Sequence, residues 1–452
     1  MFKEIFLFEL KYRVKRPATY IYFLLLFLMA FLAMLGLAGA FGASVIIGDA
    51  SGGKVYANSP YQLNWIVTLL SWFGVLITCS MMGTPIFRDF EHKTHSLYYT
   101  TPISKTGYLF GRFWGSFLIT LLVFSGVALG AMAGTVMPWV EPEKIGPFNL
   151  MWYLQPYLTI IIPNLLLTGA IFFTLATLTR SALSIYVGGV IFLVLYGVSS
   201  SLLNDLDNEY IANLLDPLGA ASIYFTQRYW TTAERNTLML PFSEYVLLNR
   251  ALWMGIGLAL LTFCYFRFSF SFANMGLKLF RRRNSEEAAG AIVPPSRLQL
   301  PRVSQHFSFD LSLKQFLKLT KLEFKGIVKS VYFIAITFAG IVFLFVSGAQ
   351  IGKLYDTTFF PVTSEVVQIL SGTFSLFFLI IITFYAGELV WRERDNHINQ
   401  IYDALPIPNW VPFASKLSAL MLVQGTLLVV IMLCGIVIQT FKGYYNYEFD
   451  VY

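Results

Sequence analysis

Two stretches of the chain carry charged, aromatic and proline residues in the same order, about three hundred residues apart. The first runs from Phe87 to Phe113 and the second from Val390 to Leu417. Setting Pro102 on Pro406 aligns the two stretches without a gap. A polar loop between membrane spans has no reason of its own to keep such a pattern. The duplication therefore indicates a surface that both copies use to contact something else.

The aligned positions keep the same charge or the same kind of side chain. They pair Arg88 with Arg392, Asp89 with Glu393, Glu91 with Asp395, Leu97 with Ile401, Tyr98 with Tyr402, and Pro102 with Pro406. Basic residues also match where each stretch meets the next apolar run, at Arg112 and Lys416. Charged and aromatic side chains on a short polar helix can fill a groove on a partner protein. We therefore take the six pairs as candidate partner contacts.

A second repeated segment precedes each charged stretch. Phe8–Lys15 reappears as Leu322–Lys329, so that Glu9 matches Glu323. Residues 1–16 mix apolar and charged side chains, which predicts an amphipathic helix on the membrane surface, with its basic residues near anionic lipid heads. Because both copies are predicted to begin on the same side of the membrane, the repeats are parallel rather than inverted.

The composition excludes a soluble fold. The 452 residues are 56% apolar and 17% aromatic but only 13% charged, which leaves too little polar surface for a soluble protein of this size. Cys79, Cys264 and Cys434 lie far apart inside apolar runs, so they predict neither a disulfide framework nor a thiolate metal site. The sequence predicts an integral membrane protein. Its net charge of +7 is then explained by membrane topology and not by nucleic-acid binding.

Apolar runs give the predicted spans, since a helix needs about 20 apolar residues to cross the hydrocarbon layer. Nine runs qualify: Ala18–Phe41, Trp65–Phe87, Phe113–Met137, Leu158–Leu178, Ala182–Leu203, Tyr245–Phe266, Val331–Ile351, Val367–Gly387 and Leu417–Ile438. With the N-terminus inside, the cytoplasmic segments hold 25 of the 32 Lys and Arg residues and the outer segments hold 7. This asymmetry predicts an all-α polytopic bundle whose two charged stretches face the cytoplasm.

The pattern divides the chain into four segments. They are the surface helix 1–16, a first six-span unit 17–270, a polar cytoplasmic linker 271–309 and a second unit 310–452. The linker contains three consecutive arginines and several prolines, a composition typical of a flexible segment held against anionic lipid. The second unit has three spans where the first has six. We therefore expect the sequence to be a fragment of a longer protein.

The charged stretches resemble the coupling loop of type-2 ATP-binding-cassette (ABC) exporter permeases. That loop joins the second and third spans and is often written around E-R-E-x-G-T-L-x-x-L-L-x-x-P. Six spans per half, an N-terminal surface helix and the segment Leu178–Ser181 after the fourth span are similar as well. This chain departs from the pattern at the Gly-Thr step, which is His92-Lys93-Thr94 in the first copy and Asn396-His397-Ile398 in the second.

The resemblance implies a transport permease with no ATPase and no cofactor of its own, because ATP and Mg²⁺ bind to separate nucleotide-binding subunits. One subunit would contact Arg88, Asp89, Glu91, Leu97, Tyr98 and Pro102, and the other would contact Arg392, Glu393, Asp395, Ile401, Tyr402 and Pro406. The other partners are membrane lipids, in the inner membrane of a bacterium. A similar subgroup carries such a doubled permease ahead of a zinc aminopeptidase-like domain on one polypeptide.

Two further patterns concern the spans. Gly126, Gly130 and Gly134 recur every four residues in the third run and predict a close helix-packing face. The apolar runs contain almost no ionisable residue: Arg250 lies near the beginning of the sixth, and Glu388 directly follows the eighth. This scarcity favours an externally powered pump over an ion-coupled carrier. It also favours an amphipathic or lipid-like cargo. No metal site is predicted.

Two other functions remain open at this point. The spans could anchor a zinc peptidase domain that follows Tyr452, or they could form a secondary carrier built from parallel repeats. Charge reversal at Arg88 and Glu91, or at Arg392 and Asp395, separates the first function from these two, because only an exporter permease loses a bound ATPase.

Overall fold

The computed structural model describes residues 1–41, 54–202, 209–270, 308–350, 353–354, 357–358, 360–395 and 398–451. The chain forms two compact units, Met1–Leu277 and Lys278–Tyr452. The predicted linker 271–309 falls almost entirely outside the described residues.

The first unit is helical throughout its described part. Its helices are α1 Phe2–Val14, α2 Pro17–Leu37, α3 Pro60–Glu91, α4 His95–Thr100, α5 Lys105–Thr135, α6 Leu150–Pro156, α7 Ile162–Thr179, α8 Ala182–Leu202, α9 Glu209–Leu215, α10 Ala220–Gln227, α11 Thr232–Thr237 and α12 Glu244–Arg267. A short 3-10 turn, Pro142–Lys144, precedes α6. A π-helical turn, Tyr157–Ile161, joins α6 to α7.

The second unit repeats the order of a surface helix followed by long apolar helices. Its helices are α13 Phe309–Val328, α14 Val331–Gln350, α15 Thr363–Asp395, α16 Asn399–Asp403 and α17 Trp410–Phe441. Two short strands, β1 Lys353–Leu354 and β2 Thr357–Thr358, pair antiparallel between α14 and α15.

Serine caps explain where several of the helices begin. Ser59 Oγ accepts a hydrogen bond from the Gln62 amide at the start of α3, and Ser104 Oγ accepts one from Gly107 at the start of α5. Ser308 does the same for α13. Each cap satisfies an amide that has no partner inside its helix, so the sequence fixes these helix starts locally.

Seven described helices are long and apolar enough to cross a membrane. They include α2, α3, α5, the combined helix Leu150–Thr179, α12, the stretch Val331–Gly348 of α14, and α17. Helix α15 makes an eighth if it crosses as one span, although it is bent by 40° between Ser375 and Phe377. The described apolar part of α8, Ser184–Gly197, is shorter. A multi-pass helical bundle is therefore indicated, and the total of nine spans stays a prediction.

The core of the first unit lies around α3 and α7. Most of the apolar length of both helices is buried, whereas α2 and α12 leave most of theirs exposed. Phe113 of α5 packs edge-on against Phe173 of α7, with ring centroids 5.3 Å apart. The third span thereby contacts the centre of the unit directly, which fixes the position of the charged residues at its beginning.

The glycine series on α5 faces α2. A Cβ at Gly126 would lie 2.7 Å from the carbonyl oxygen of Phe23, and one at Gly130 would lie 2.2 Å from that of Phe27. At Gly134 the nearest atoms belong to Met34, at 2.8 Å. Without side chains at these positions the two backbones approach to a distance that no larger residue permits.

Candidate functional site

Both charged stretches fold into the same arrangement of a long helix, a short helix and a second long helix. In the first unit, α3 with 32 residues and α5 with 31 are joined through the six-residue α4. In the second, α15 with 33 residues and α17 with 32 are joined through the five-residue α16. Each short helix lies at the end of two helices that are long enough to cross a membrane.

A buried carboxylate holds the first arrangement together. Glu9 of α1 is fully buried, and three guanidinium groups donate to it. Arg13 Nε lies 2.8 Å from Glu9 Oε1, while Arg88 Nη2 and Arg112 Nη1 lie 2.9 Å and 2.7 Å from Oε2. Arg88 belongs to α3 and Arg112 to α5. A single side chain therefore ties the surface helix to both long helices.

Asp89 extends this network on α3. Arg112 Nη2 lies 2.9 Å from both carboxylate oxygens of Asp89, and the hydroxyl of Tyr108 donates to Oδ2 over 2.7 Å. Arg112 thus bridges two carboxylates, in the forked geometry that suits a guanidinium group. The resulting Glu9 cluster consists of Glu9, Arg13, Arg88, Asp89, Tyr108 and Arg112.

The charge balance of the Glu9 cluster sets the state of its carboxylate. Burial alone would raise the pKa of Glu9, but Arg13, Arg88 and Arg112 outweigh burial and lower that pKa to about 2. The cluster holds three arginines against two carboxylates, so Glu9 stays charged at any physiological pH. An isolated charge buried in this way would be costly, whereas a paired and hydrogen-bonded charge is tolerated.

The second unit forms the same pairs from the aligned residues. Arg392 Nη1 lies 2.6 Å from Glu323 Oε2, as Arg88 lies beside Glu9. Lys416 Nζ lies 2.7 Å from Glu393 Oε1, as Arg112 lies beside Asp89. Arg392 also approaches Glu388 at 3.3 Å. The Glu323 cluster, made of Glu323, Glu388, Arg392, Glu393 and Lys416, therefore joins α13, α15 and α17 as the Glu9 cluster joins α1, α3 and α5.

The two clusters differ in charge. The Glu323 cluster has three carboxylates and two cations, so its excess charge is negative. The Glu9 cluster has a positive excess. Burial raises the pKa of Glu323 above its ordinary value, and the combined effect of Arg392, Lys416, Glu393 and Glu388 does not overcome it. The pKa values of the two matched glutamates therefore move in opposite directions.

Matched backbone contacts also hold the short helices in place. The carbonyl of Asp89 accepts from Thr94 Oγ1 at 3.3 Å, and the carbonyl of the aligned Glu393 accepts from the Ile398 amide at 3.0 Å. Past each short helix, the Ile103 amide lies 2.7 Å from the Thr101 carbonyl, and the Ile407 amide lies 2.8 Å from that of Leu405. The same carbonyl is therefore used before each short helix, by a hydroxyl in one copy and an amide in the other, and the turns after the two short helices share one backbone hydrogen bond.

The predicted contact residues divide into an inward and an outward set. Arg88, Asp89, Arg392 and Glu393 point into their own units and form the ion pairs described above, so they support the short helices from behind. The outward set includes two apolar side chains, Leu97 with 69% exposed and Ile401 with 71% exposed. Glu91, Pro102 and Pro406 are exposed too.

The remaining predicted contact residues are Tyr98, Asp395 and Tyr402. Tyr98 is half-buried, with its ring 6.2 Å from that of Tyr108 and 5.6 Å from the guanidinium carbon of Arg112. The side chains of Asp395 and Tyr402 lie outside the described part of the structure. Tyr98 therefore belongs to the base of the short helix as much as to its outer face.

The surface helix differs in part from its predicted role. Residues 1–16 do contain a helix, α1, but Glu9 and Arg13 turn into the unit instead of toward lipid heads. Arg13 also donates to the Met81 carbonyl and to Thr84 of α3. The repeated Glu9 and Glu323 were the only signal in the sequence that these two positions interact with the charged stretches.

No group of three His, Cys, Asp or Glu side chains in the described ranges is arranged to hold a metal ion. His95 stacks on Phe90 with ring centroids 4.6 Å apart, as an aromatic packing partner. The described part of the site thus offers packing surfaces and ion pairs. Its arrangement suits the docking of a partner and the transmission of movement along helices.

Comparisons of the chain with models of protein families, with curated proteins and with solved structures gave no match.

Proposed function

We propose that this chain is the permease of an ATP-driven exporter of the type-2 ABC kind, in the inner membrane of a bacterium with its N-terminus in the cytoplasm. Helices α4 and α16 dock onto separate nucleotide-binding subunits, which carry the ATP and Mg²⁺. The two units are parallel copies of one permease unit. The cargo is amphipathic or lipid-like, because ionisable side chains are scarce in the apolar runs.

One observation carries this proposal. At aligned positions, Leu97 and Ile401 project from short helices whose bases are held by the same two ion pairs. An isolated exposed leucine on a soluble protein needs no explanation. Two matched apolar side chains, each at the end of a pair of long helices, support a docking role because removing apolar surface from water favours association.

The backbone at Lys93 supports the same assignment. Lys93 has a φ of 56°, which is the left-handed conformation that glycine adopts readily and other residues adopt at a cost. It directly precedes Thr94, at the point where the coupling loop of the resembling family carries glycine before threonine. The turn between α3 and α4 therefore has the conformation that the family pattern calls for, although the residue differs.

The mechanism follows from the rigidity of the paired charges. A push on α4 reaches α3 and α5 together, because Asp89 and Arg112 connect these two helices at their ends. It also reaches α1 through Glu9. Helices of 31 and 32 residues are about 45 Å long at 1.5 Å per residue. A small rotation about the end near α4 therefore moves the opposite end of each helix by a larger distance.

The test is recovery of an ATPase with the tagged full-length chain purified from membranes of its native host. The variant combines Leu97→Glu and Ile401→Glu. The matched control is Phe242→Glu, which alters a side chain that is 64% exposed in a predicted outer loop. We expect the control to retain co-purifying, vanadate-sensitive ATP hydrolysis and the double variant to lose most of it. Equal recovery of ATPase with both variants would refute the docking role.

A further inference from the structure

A cavity of about 370 Å³ lies in the first unit, where α1, α2 and α3 meet. Its polar lining consists mainly of guanidinium and hydroxyl groups. They belong to Tyr12, Arg13, Arg16, Thr19, Ser80 and Arg88. Glu91 supplies the one carboxylate of the lining and is itself exposed. With three guanidinium groups against one carboxylate, the cavity favours an anion.

Arg16 is the guanidinium group of this cavity whose partner is neutral, because its Nη2 donates to the Tyr12 hydroxyl. Arg13 and Arg88 are both committed to Glu9, whereas Arg16 has no carboxylate within ion-pair distance in the described ranges. The Arg16 guanidinium lies 4.6 Å from the centre of the Tyr12 ring, and that of Arg88 lies 3.9 Å from it. Two like charges held around one ring repel each other, so an anion between them would be stabilised.

The beginning of α2 adds to the positive potential. Arg16 occupies the N-cap position of this helix and no side chain caps it. Ala18 and Thr19 of the first turn line the cavity. Pro17 has no amide hydrogen and the Thr19 amide donates to the Arg16 carbonyl. This turn therefore contributes the positive end of the helix dipole, which adds to the attraction that the guanidinium groups provide.

The position of the cavity along the sequence identifies the kind of anion. It opens beside Pro17, where the apolar sequence of the α2 span begins, and this is the level at which lipid phosphates lie. Two turns beyond Ala18, on the same side of α2 as the cavity, Leu25 is 43% exposed, so an apolar face continues from the cavity along the span. The acyl chains of a lipid can lie along this face while its phosphate occupies the cavity. A free phosphate ion has no acyl chains, so it would gain nothing from the apolar face.

We propose that this cavity binds the phosphate group of an anionic phospholipid, with Arg16 as its principal direct contact and the acyl chains along α2. A volume of about 370 Å³ is of the size of other small-molecule sites. A lipid held here joins α1, α2 and α3 at the membrane surface. The proposal does not depend on the transport function.

The test titrates dioleoyl phosphatidylglycerol into the purified full-length chain in a neutral detergent, with binding measured by native mass spectrometry. Dioleoyl phosphatidylcholine and inorganic phosphate are titrated in parallel. We expect phosphatidylglycerol to bind most tightly. Arg16→Gln should weaken it by roughly tenfold, since a hydrogen bond to a charged group contributes about 1.5 kcal/mol or more.

Two further variants separate the cavity from general surface charge. Lys11→Gln removes one exposed positive charge from α1, close to Arg16 in the sequence but outside the cavity lining. We expect this variant to weaken phosphatidylglycerol binding by less than about twofold, because an exposed charge is screened by salt. Ala18→Phe fills the cavity without changing any charge, and we expect it to abolish the preference for phosphatidylglycerol.

Three outcomes would overturn the proposal. Equal weakening by Arg16→Gln and Lys11→Gln would mean that surface charge alone attracts the lipid. Unchanged binding by Ala18→Phe would place the lipid elsewhere. Inorganic phosphate that bound as tightly as phosphatidylglycerol, and was weakened as much by Arg16→Gln, would make the ligand a soluble phosphate.

Discussion

Glu9 accepts from three arginines, one on its own helix α1 and one each on α3 and α5. Its carboxylate lies at 2.7–2.9 Å from Arg13, Arg88 and Arg112. Removing one partner of a buried ion pair leaves the other charge without compensation, which is far more costly than never having had the pair. At the residue scale, the stability of the charged loop therefore depends on one glutamate.

We expect Glu9→Gln to destabilise the first unit by roughly 3–5 kcal/mol, because three buried guanidinium groups lose the charge that they share. The measurement is the midpoint of thermal unfolding of the purified chain in detergent. Glu4→Gln is the matched control on the same helix, since Glu4 is 79% exposed in its pairing with the N-terminal amine and should change the midpoint little. Equal midpoints for the two variants would contradict the central role of Glu9.

The two matched glutamates should also respond oppositely to pH. Glu9 has a lowered pKa of about 2 in the folded state, so its contribution is complete above about pH 4.5 and is lost as the pH falls toward 2, by roughly 3 kcal/mol in total. Glu323 has a raised pKa, so its contribution is complete below the ordinary value of 4.5 and is lost as the pH rises through the native value.

Thermal unfolding as a function of pH measures this difference. The stability gap between wild type and Glu9→Gln should narrow on acidification. For Glu323, acidification should instead raise the stability of wild type relative to Glu323→Gln. Because each variant is compared with wild type at the same pH, the contributions of the other titrating groups cancel. If both stability differences changed in the same direction with pH, the opposite charge excess of the two clusters would have no effect.

At the scale of elements, the glycine face of α5 determines how closely α2 can pack. We expect Gly130→Ala to destabilise the chain by about 1–3 kcal/mol, as overpacking does, because its Cβ would meet backbone atoms of Phe27 that cannot move alone. Gly255→Ala is the control, since no atom lies within 4 Å of a Cβ there and alanine is the better helix former. Thermal unfolding should therefore shift in opposite directions for the two variants.

The turn before α4 offers a gain of stability instead. Lys93→Gly should stabilise the first unit by roughly 1 kcal/mol relative to Lys93→Ala, because glycine relieves the left-handed strain and alanine does not. The alanine variant controls for the loss of the lysine charge. Unfolding midpoints that do not rank the glycine variant above the alanine variant would argue against strain at this turn.

The sequence predicts most of the long helices, because uncharged runs of about 20 residues have few alternatives. It also identified Arg88, Asp89, Arg392 and Glu393 as a related set. Their inward direction could not be read from the sequence, since a charged residue in a loop is usually solvated and only tertiary packing supplies the partner. Glu9 shows the same limit, because its three arginines lie up to 103 positions away along the chain.

At the scale of the whole molecule, the chain carries two short helices, α4 and α16, for which we propose the same docking role. Each is supported by ion pairs inside its own unit. The clusters beneath them carry opposite charge excess, which means that the two copies are alike in geometry but not in electrostatics. A pair of partner subunits would therefore meet two similar surfaces with unequal supports.

This arrangement predicts how ATP hydrolysis responds to damage at one copy. Leu97→Glu alone and Ile401→Glu alone should each remove about half of the co-purifying ATPase, because a charged side chain in an apolar interface weakens only the subunit that it faces. The readout is the amount of ATPase subunit per chain, quantified by mass spectrometry against Phe242→Glu. Complete loss in either single variant would show that the two ATPase subunits bind only as a preformed pair, and no loss in both would remove α4 and α16 from the docking surface.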